Sequence, residues 1–248
     1  MNPDLEIWDN AADAWASAIT KPGTLRSIHF KKVIDQLLSE VSNKKILDAG
    51  CGDGVFTKYL ANQNASVIGV DGSQEMIKIA KAKFPELDFA VTDLLQPMSF
   101  PDKSFDFVLA NMVLMHLSDI KMFLKESKRV LKQNGTLIFS VLHPCFNFPT
   151  MKLYKSFMDK LLNRRPSGLA FDYFQTHQTR RFETNMNREL THYHRTLEQY
   201  SKDLNANGFS IELMLEPHEL DSEFLRQKPR LEYTTRLPRF LFIKAKSI

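Results

Sequence analysis

The sequence predicts an α/β fold built on a doubly wound, mainly parallel sheet. Three observations carry this prediction. Short apolar segments alternate with amphipathic segments between residues 44 and 142, three of the nine glycines lie within five residues, and two more apolar segments follow near the end. Strands that alternate with helices at this spacing are typical of a parallel sheet with helices on both faces.

The glycine cluster forms the turn between the first strand and the first helix of the sheet. Residues 45–49 are a short apolar run typical of a buried strand, and residues 55–61 carry apolar side chains at helical spacing. Gly50, Gly52 and Gly54 lie between them. Glycine is favoured in such a turn because a Cβ atom opposes positive φ and keeps a ligand away from the backbone.

The remaining elements continue the same alternation. We predict strands over 66–70, 88–92, 105–110, 136–142, 209–215 and 239–245, and helices over about 118–132 and 196–207. Ser73 is the expected N-cap of the helix that follows the second strand. The seventh and last strand has no helix of its own, so it can pair antiparallel. Ligands bind such sheets at the carboxyl ends of the strands.

Composition restricts the class of protein. The chain has 248 residues, of which 43% are hydrophobic and 25% charged, with a net charge of +4. These values exclude a disordered, collagen-like or coiled-coil protein, and the charge is too small to indicate nucleic-acid binding. Two cysteines cannot form a disulfide framework, the start lacks a signal-peptide profile, and no apolar run reaches membrane-spanning length. We therefore expect a soluble, cytoplasmic protein.

The turn reads Asp48-Ala49-Gly50-Cys51-Gly52-Asp53-Gly54, which has the spacing G-x-G-x-G. The dinucleotide fingerprint is G-x-G-x-x-G, so a nicotinamide or flavin enzyme is not favoured. Together with Asp71 after the second strand, Thr92-Asp93-Leu94 after the third and Asn111 after the fourth, the turn resembles the class I S-adenosylmethionine (SAM) dependent methyltransferases of the small-molecule, methyltransferase-11-like type. The resemblance covers about residues 44–142. It implies a seven-stranded Rossmann-like methyltransferase fold, SAM as cofactor and S-adenosylhomocysteine (SAH) as product.

The resemblance also implies roles for individual residues. Gly50 and Gly52 would let the backbone approach the cofactor, Asp71 would accept both ribose hydroxyls, and Asp93 would bind the adenine amine. The candidate cofactor contacts are Asp48, Gly50, Cys51, Gly52, Asp71, Gly72, Met76, Asp93, Leu94, Asn111, Arg26 and Trp15. Alternatively, Asp48 and Asp93 are helix caps and Asn111 is a turn former.

The N-terminal segment fits a helical cap over the cofactor, which the resemblance also implies. Trp8, Ala12 and Trp15 lie on one helical face. Arg26 is the candidate for the carboxylate of the cofactor, because a guanidinium can bind a carboxylate through two parallel hydrogen bonds. The alternative is that both tryptophans only pack and that Arg26 is surface.

Candidate bases are histidines that follow strands at the sheet edge. They are His116, His143, His192 and His194. A histidine titrates near neutrality and can take a proton from an oxygen or nitrogen nucleophile. Equally, His143 can simply turn the chain before Pro144, and His116 can cap a helix. Alignment alone can supply most of the acceleration of methyl transfer, so a base is not required.

We expect three regions: a helical N-terminal cap over 1–43, a SAM-binding domain over 44–143 and 196–248, and an inserted substrate lid over 144–195. The lid has nine Lys and Arg against four Asp and Glu, a net charge of +5, and includes Phe146, Phe148, Phe171, Tyr173 and Phe174. One interpretation is a cover over an aromatic or apolar substrate whose anionic group binds Arg180, Arg181 or Arg195. The other is a helical insertion with its own core.

The expected activity is methyl transfer to an oxygen, nitrogen or carbon atom of a small molecule. The segment Asn111-Met112-Val113-Leu114 lacks the Asn/Asp-Pro-Pro-aromatic motif of nucleic-acid amino methyltransferases. No Cys/His cluster or carboxylate-rich group indicates a metal site. An RNA-modifying enzyme and a non-catalytic SAM-binding regulator or assembly partner stay open as alternatives.

Overall fold

The structure, a computed structural model, describes residues 2–19, 25–38, 40–146, 152–154, 156–163, 168–170, 172–175, 178–183, 188–217 and 237–248. The strands of the main sheet are β1 (Lys45–Ala49), β2 (Ser66–Asp71), β3 (Asp88–Val91), β4 (Phe105–Asn111), β5 (Leu131–Leu142), β10 (Phe209–Leu215) and β11 (Phe240–Ser247). The helices are α1 (Pro3–Ile19), α2 (Leu25–Leu38), α3 (Val55–Ala61), α4 (Gln74–Lys83), α5 (Lys121–Val130), α6 (Phe157–Leu161) and α7 (Leu197–Ala206), with a short 3-10 turn at Leu114–His116.

The seven strands form one sheet in the order β10-β11-β5-β4-β1-β2-β3. Strand β11 is antiparallel to both of its neighbours, and the other pairs are parallel. The chain builds outward from β1 through β2 to β3, then crosses to β4 and builds the other half. The predicted doubly wound, mainly parallel sheet is confirmed, and so is the antiparallel last strand.

The central strands are buried on both faces, as expected for strands between two layers of helices. Every residue from Gly135 to Leu142 in β5 is buried, whereas in β3 at the edge only Phe89 is buried. Helix α2 contributes Phe30, Ile34 and Leu37 to the main core. The predicted cap of α4 is confirmed, because the Ser73 hydroxyl accepts a hydrogen bond from the Met76 amide.

The largest difference from the predicted strand boundaries is at the start of β5. Strand β5 begins at Leu131 rather than Thr136, because Leu131 pairs with Phe105 before the register shifts and Thr136 pairs with Phe107. Asn134, with φ 59°, turns the chain inside this irregular segment. The pairing partner lies 26 residues away in sequence, so local patterning does not reveal it.

The segment between β5 and α7 contains short strands outside the main sheet. These are β6 (Lys152–Tyr154), β7 (Gly168–Ala170), β8 (Gln178–Glu183) and β9 (Arg188–Tyr193). β6 pairs with β7, and β8 pairs with β9 in an antiparallel hairpin. The division into cap, SAM-binding domain and lid stays a prediction. Across the described ranges, no helix is both long and apolar enough to cross a membrane.

Candidate functional site

A cavity of about 400 Å³ lies at the carboxyl edge of the sheet, with α1 forming part of its wall. Its lining includes the ends of β1, β2 and β4, the loop after β3 and one face of α1. The predicted site residues that line it are Asp48, Gly50, Cys51, Gly52, Asp71, Gly72, Met76, Asp93, Leu94, Asn111, Trp15 and His116. The topology brings these side chains together because the carboxyl ends of parallel strands share one edge.

The glycine turn has the backbone geometry that the sequence predicts. Gly50, Gly52 and Gly54 have φ of 76°, 55° and 80°, values that favour glycine. The amides of Gly50 and Cys51 both donate to the carbonyl of Val70, at 2.7 and 2.9 Å. A Cβ atom on Gly50 would lie 2.3 Å from Val113 Cγ2. Gly50 therefore allows the turn to pack against the chain that follows β4.

Asp71 ends β2 with both carboxylate oxygens held by backbone amides. Gly52 N–H donates to Oδ2 at 2.9 Å and Ser73 N–H donates to Oδ1 at 2.9 Å. Burial raises the pKa of Asp71, the two amide hydrogen bonds oppose this, and the nearby Asp9 carboxylate adds to it. The group is thus fixed in orientation while one edge faces the cavity.

Asp48 lies deeper, at the end of β1. Its side chain is 1% exposed, and the Thr57 hydroxyl donates to its Oδ2 at 2.7 Å. Burial raises the pKa of Asp48 to about 7, with Asp71 and Asp53 adding to the shift and the Thr57 hydrogen bond opposing it. Burial also raises the pKa of the Cys51 thiol. Neighbouring carboxylates contribute to both pKa shifts, so a cationic ligand group would be stabilised at this wall of the cavity.

The loops after β3 and β4 supply the other predicted polar residues. Asp93 Oδ1 accepts from the Leu95 amide at 3.0 Å, so part of this carboxylate shapes its own turn. Asn111 Oδ1 accepts from the Ser140 hydroxyl at 2.6 Å. Met112 follows with φ 62°, unusual for a non-glycine residue, and its amide donates to the Ser140 carbonyl at 3.0 Å. Both turns combine a structural role with a place on the cavity wall.

Helix α1 closes one side of the cavity with aromatic rings. Trp8 contacts Trp15 edge to face, with centroids 5.4 Å apart, and contacts the His116 ring in the same way at 5.0 Å. Asp4 and Leu5 of α1 also line the cavity. The sequence analysis did not predict Asp4 or Leu5 as cavity residues. The helical spacing of Leu5 and Trp8, which places both on one face of α1, is the pattern that could have indicated Leu5.

A family model for a methyltransferase domain matches residues 47–139. The demethylmenaquinone methyltransferase of Tropheryma whipplei (strain Twist) is 32% identical over 179 residues, covering 68% of this chain and 72% of the relative. The chain belongs to the SAM-dependent methyltransferases.

Other comparisons agree with this assignment. The ubiquinone biosynthesis O-methyltransferase of Pelagibacter ubique is 35% identical over 105 residues, which cover 42% of this chain and 44% of the relative. A SAM-dependent methyltransferase structure from Mesorhizobium loti has a TM-score of 0.73 at 24% identity, covering 90% of this chain and 100% of that one. The second likeness bears on the fold alone.

The residues present fit SAM as the cofactor of this methyltransferase. SAM carries a sulfonium and an amino group, which suit a wall containing Asp48 and Asp71, and a ribose diol, which suits a carboxylate fixed by two amides. The side chain of Arg26, in α2, lies outside the described residues. Among the described residues, no group of three or more His, Cys, Asp or Glu side chains is arranged to hold a metal ion.

The histidines take different positions in the methyltransferase. His116 lines the cavity, and its Nδ1 hydrogen-bonds the Thr191 carbonyl at 2.8 Å. His143 is 1% exposed, accepts from the Cys145 amide at Nδ1, and donates from Nε2 to Glu216 at 2.7 Å. Burial lowers the pKa of His143, against the effect of Glu216.

Two more histidines are buried in and after β9. His192 packs its ring against His116, with centroids 4.6 Å apart. His194 hydrogen-bonds the Tyr173 carbonyl through Nε2 at 2.8 Å. Neither His143 nor His194 is part of the cavity lining, so the geometry favours His116 as a base and favours a structural role for the other two.

The expected anion-binding arginines do not reach the cavity. Arg195 is 7% exposed and its guanidinium donates to the carbonyls of Leu114, Leu117 and Ser118. The prediction that Arg195 binds a substrate anion is therefore wrong, because its donors hold the loop after β4. Arg180 is exposed on β8, and Arg181 pairs with Glu183 at 3.3 Å.

The aromatic side chains of the predicted lid are only partly described. The Tyr173 hydroxyl accepts from the Leu197 amide at 2.8 Å, and Phe174 is 84% exposed. Phe146 packs its ring on His143, with centroids 4.8 Å apart. Phe148 and Phe171 lie outside the described residues.

Proposed function

We propose that the chain transfers the methyl group of SAM to an oxygen, nitrogen or carbon atom of a small-molecule acceptor. Bound SAM supplies a methyl group already activated on a sulfonium, so the protein has mainly to align the acceptor and exclude water. The observation that carries the proposal is the cavity itself, in which the carboxylates at the strand ends stand beside the aromatic side chains of α1.

Asp71 is proposed to bind the ribose. Each of its carboxylate oxygens accepts one backbone amide and keeps further lone-pair capacity, so the group can accept both hydroxyls of a cis-diol. Asp93 and the backbone of Leu94 are proposed to contact the adenine. Leu94 is 4% exposed and lines the cavity, which supports an apolar surface for the base.

The amino-acid end of the cofactor is assigned to the glycine turn. Gly50 and Gly52 allow close approach of the backbone, Asp48 faces the amino group, and Asn111 closes this end. A cation beside Asp48 stabilises its charged form and so opposes the effect of burial on its pKa. Arg26 stays the proposed partner of the cofactor carboxylate.

An aromatic, quinone-like acceptor is proposed from the cavity wall and the relatives. Trp8, Trp15 and His116 offer ring faces and edges against which a planar acceptor can pack. Two of the relatives are named for demethylmenaquinone and for ubiquinone biosynthesis. Five carboxylates line the described cavity, Asp4, Asp48, Asp53, Asp71 and Asp93, against one lysine, Lys31. Lys83 pairs with Asp53 at 2.6 Å, and the remaining carboxylates favour a neutral acceptor over an anionic one.

His116 is the proposed base for an acceptor that must lose a proton. Because the Thr191 carbonyl can only accept, Nδ1 of His116 carries the ring proton, and Nε2 has the lone pair in the neutral form. The hydrogen bond thus sets the tautomer that proton transfer needs. The edge-to-face contact with Trp8 holds the plane of the ring.

An assay with SAM that carries a tritium-labelled methyl group tests the proposal. The acceptors are a panel of hydroxylated benzoquinols and naphthoquinols. We expect label in at least one acceptor, with His116→Ala and His116→Gln lowering kcat roughly 100-fold. Both variants should bind SAH as the wild type does, which separates the base from the cofactor site. Binding of SAM without transfer to any member of the panel would contradict the acceptor class. Label found in RNA would favour the RNA-modifying alternative.

A further inference from the structure

Helix α1 clamps the loop that follows the ribose-binding strand. Leu5 packs directly on Gly72, where an added Cβ would lie 2.4 Å from Leu5 Cδ2. One helical turn later, Asp9 Oδ1 accepts from the Ser73 hydroxyl at 2.6 Å and from the Glu75 amide at 3.2 Å. Leu5 and Asp9 are four residues apart and share a face of α1. This face is thus fitted to the segment next to Asp71.

Ser73 connects Asp9 with Asp71 through two hydrogen bonds and accepts a third from Met76. It is fully buried, and its amide donates to Asp71 Oδ1 at 2.9 Å. Its hydroxyl donates to Asp9 and accepts from the Met76 amide at 3.1 Å. A hydroxyl has a single proton, so its rotamer is set when Asp9 is in place.

The position of Asp9 combines one unfavourable and one favourable electrostatic interaction. Its charge lies close enough to Asp71 to raise the pKa of that carboxylate. Like charges this near repel each other. The cost is offset at the start of the ten-residue helix α4, where free amides and the helix dipole favour a negative charge.

A second carboxylate of α1 attaches the helix to strand β9. The Tyr193 hydroxyl in β9 donates to Asp4 Oδ2 at 2.7 Å. Asp4 is 9% exposed and also lines the cavity. Helix α1 is therefore attached to α4 through Asp9 and to the β8–β9 hairpin through Asp4.

We propose that Asp9 is a positioning residue that couples the docking of α1 to the orientation of Asp71 through Ser73. With α1 docked, Ser73 holds Oδ1 of Asp71 while Gly52 holds Oδ2, and the carboxylate faces the ribose in one orientation. With Asp9 removed, Ser73 loses its hydroxyl acceptor and α1 loses its attachment beside the site. This inference rests on the proposed ribose role of Asp71.

Calorimetric titration of SAH and of its 2′-deoxy analogue tests the coupling. We expect Asp9→Ala to weaken SAH binding roughly 5- to 20-fold, which lies within the range of coupling between groups in one hydrogen-bond network. Asp9→Asn keeps an oxygen that accepts from Ser73 and should restore the affinity. Asp13→Ala changes an exposed carboxylate on the same helix and serves as the matched control. The loss caused by Asp9→Ala should shrink for the 2′-deoxy analogue, a selectivity that general destabilisation does not produce.

A double variant tests whether Asp9 affects SAH binding through Asp71. If Asp9 acts through Asp71, Asp9→Ala combined with Asp71→Ala binds SAH no more weakly than Asp71→Ala alone. Fold-losses that multiply would overturn the coupling, as would an Asp9→Ala affinity equal to that of Asp13→Ala. An unchanged affinity in Asp71→Ala would remove the ribose assignment itself, so the two failures are distinguishable.

Discussion

The buried carboxyl group of Asp48 gives the fold a pH dependence that can be isolated with one substitution. Asp48→Asn replaces the acid with a neutral group of the same shape, whose oxygen can still accept from Thr57. The side chain is 1% exposed, so water screens its charge little. The variant therefore reports what ionising this group costs the folded state.

The magnitude follows from the two pKa values of Asp48. The pKa rises from 3.8 to about 7 in the folded protein. At about 1.4 kcal/mol per pKa unit, this difference corresponds to roughly 4 kcal/mol. The folded state binds the proton more tightly than the unfolded state. The contribution is therefore fully present below about pH 4 and is lost as the pH rises through about 7.

Urea unfolding between pH 4 and pH 8 measures this effect. We expect the free energy of unfolding of Asp48→Asn, relative to the wild type, to increase by about 4 kcal/mol across this range. Asp88→Asn alters an exposed carboxylate on β3 in the same way and controls for the substitution. A difference that stays constant with pH, or that grows toward acid, would refute the reasoning.

Three further predictions concern the protonation of Asp48, the glycine turn and the buried Arg195. At pH 6, where Asp48 is mostly protonated, SAM binding should release a proton. The apparent calorimetric enthalpy should then differ between phosphate and Bis-Tris in the wild type and coincide in Asp48→Asn. Gly50→Ala should lower both Tm and SAH affinity, and Val113→Ala should restore only part of the loss because φ stays positive. Arg195→Leu removes the donors of three backbone carbonyls and should lower the free energy of unfolding in urea by about 3 kcal/mol. A decrease below about 0.5 kcal/mol would contradict the structural role of Arg195.

The sheet could be predicted because its signals are local. Each strand is a short apolar run, and the glycines mark the first strand-to-helix turn. The carboxylates at the strand ends could also be predicted as a group, since parallel topology brings those ends together. The early start of β5 could not, because the pairing of Leu131 with Phe105 depends on a distant segment.

Contacts between distant parts of the chain account for what sequence reasoning missed at the site. Asp9 reaches Ser73 across 64 residues, and Tyr193 reaches Asp4 across 189. Arg195 finds its carbonyl acceptors about 80 residues earlier, so its charge suggested a substrate anion while its surroundings assign it to the loop. A charged side chain in a sequence does not reveal whether its partner is a ligand or the backbone.

Titration of SAH into the wild type and Asp71→Ala tests the central claim most directly. The account predicts micromolar binding to the wild type and a loss of roughly 10- to 150-fold in the variant, the range for a hydrogen bond to a charged group. Asp88→Ala, on the neighbouring strand β3, should bind SAH as the wild type does. Equal affinities in the wild type and Asp71→Ala would contradict the assignment of this cavity to the cofactor.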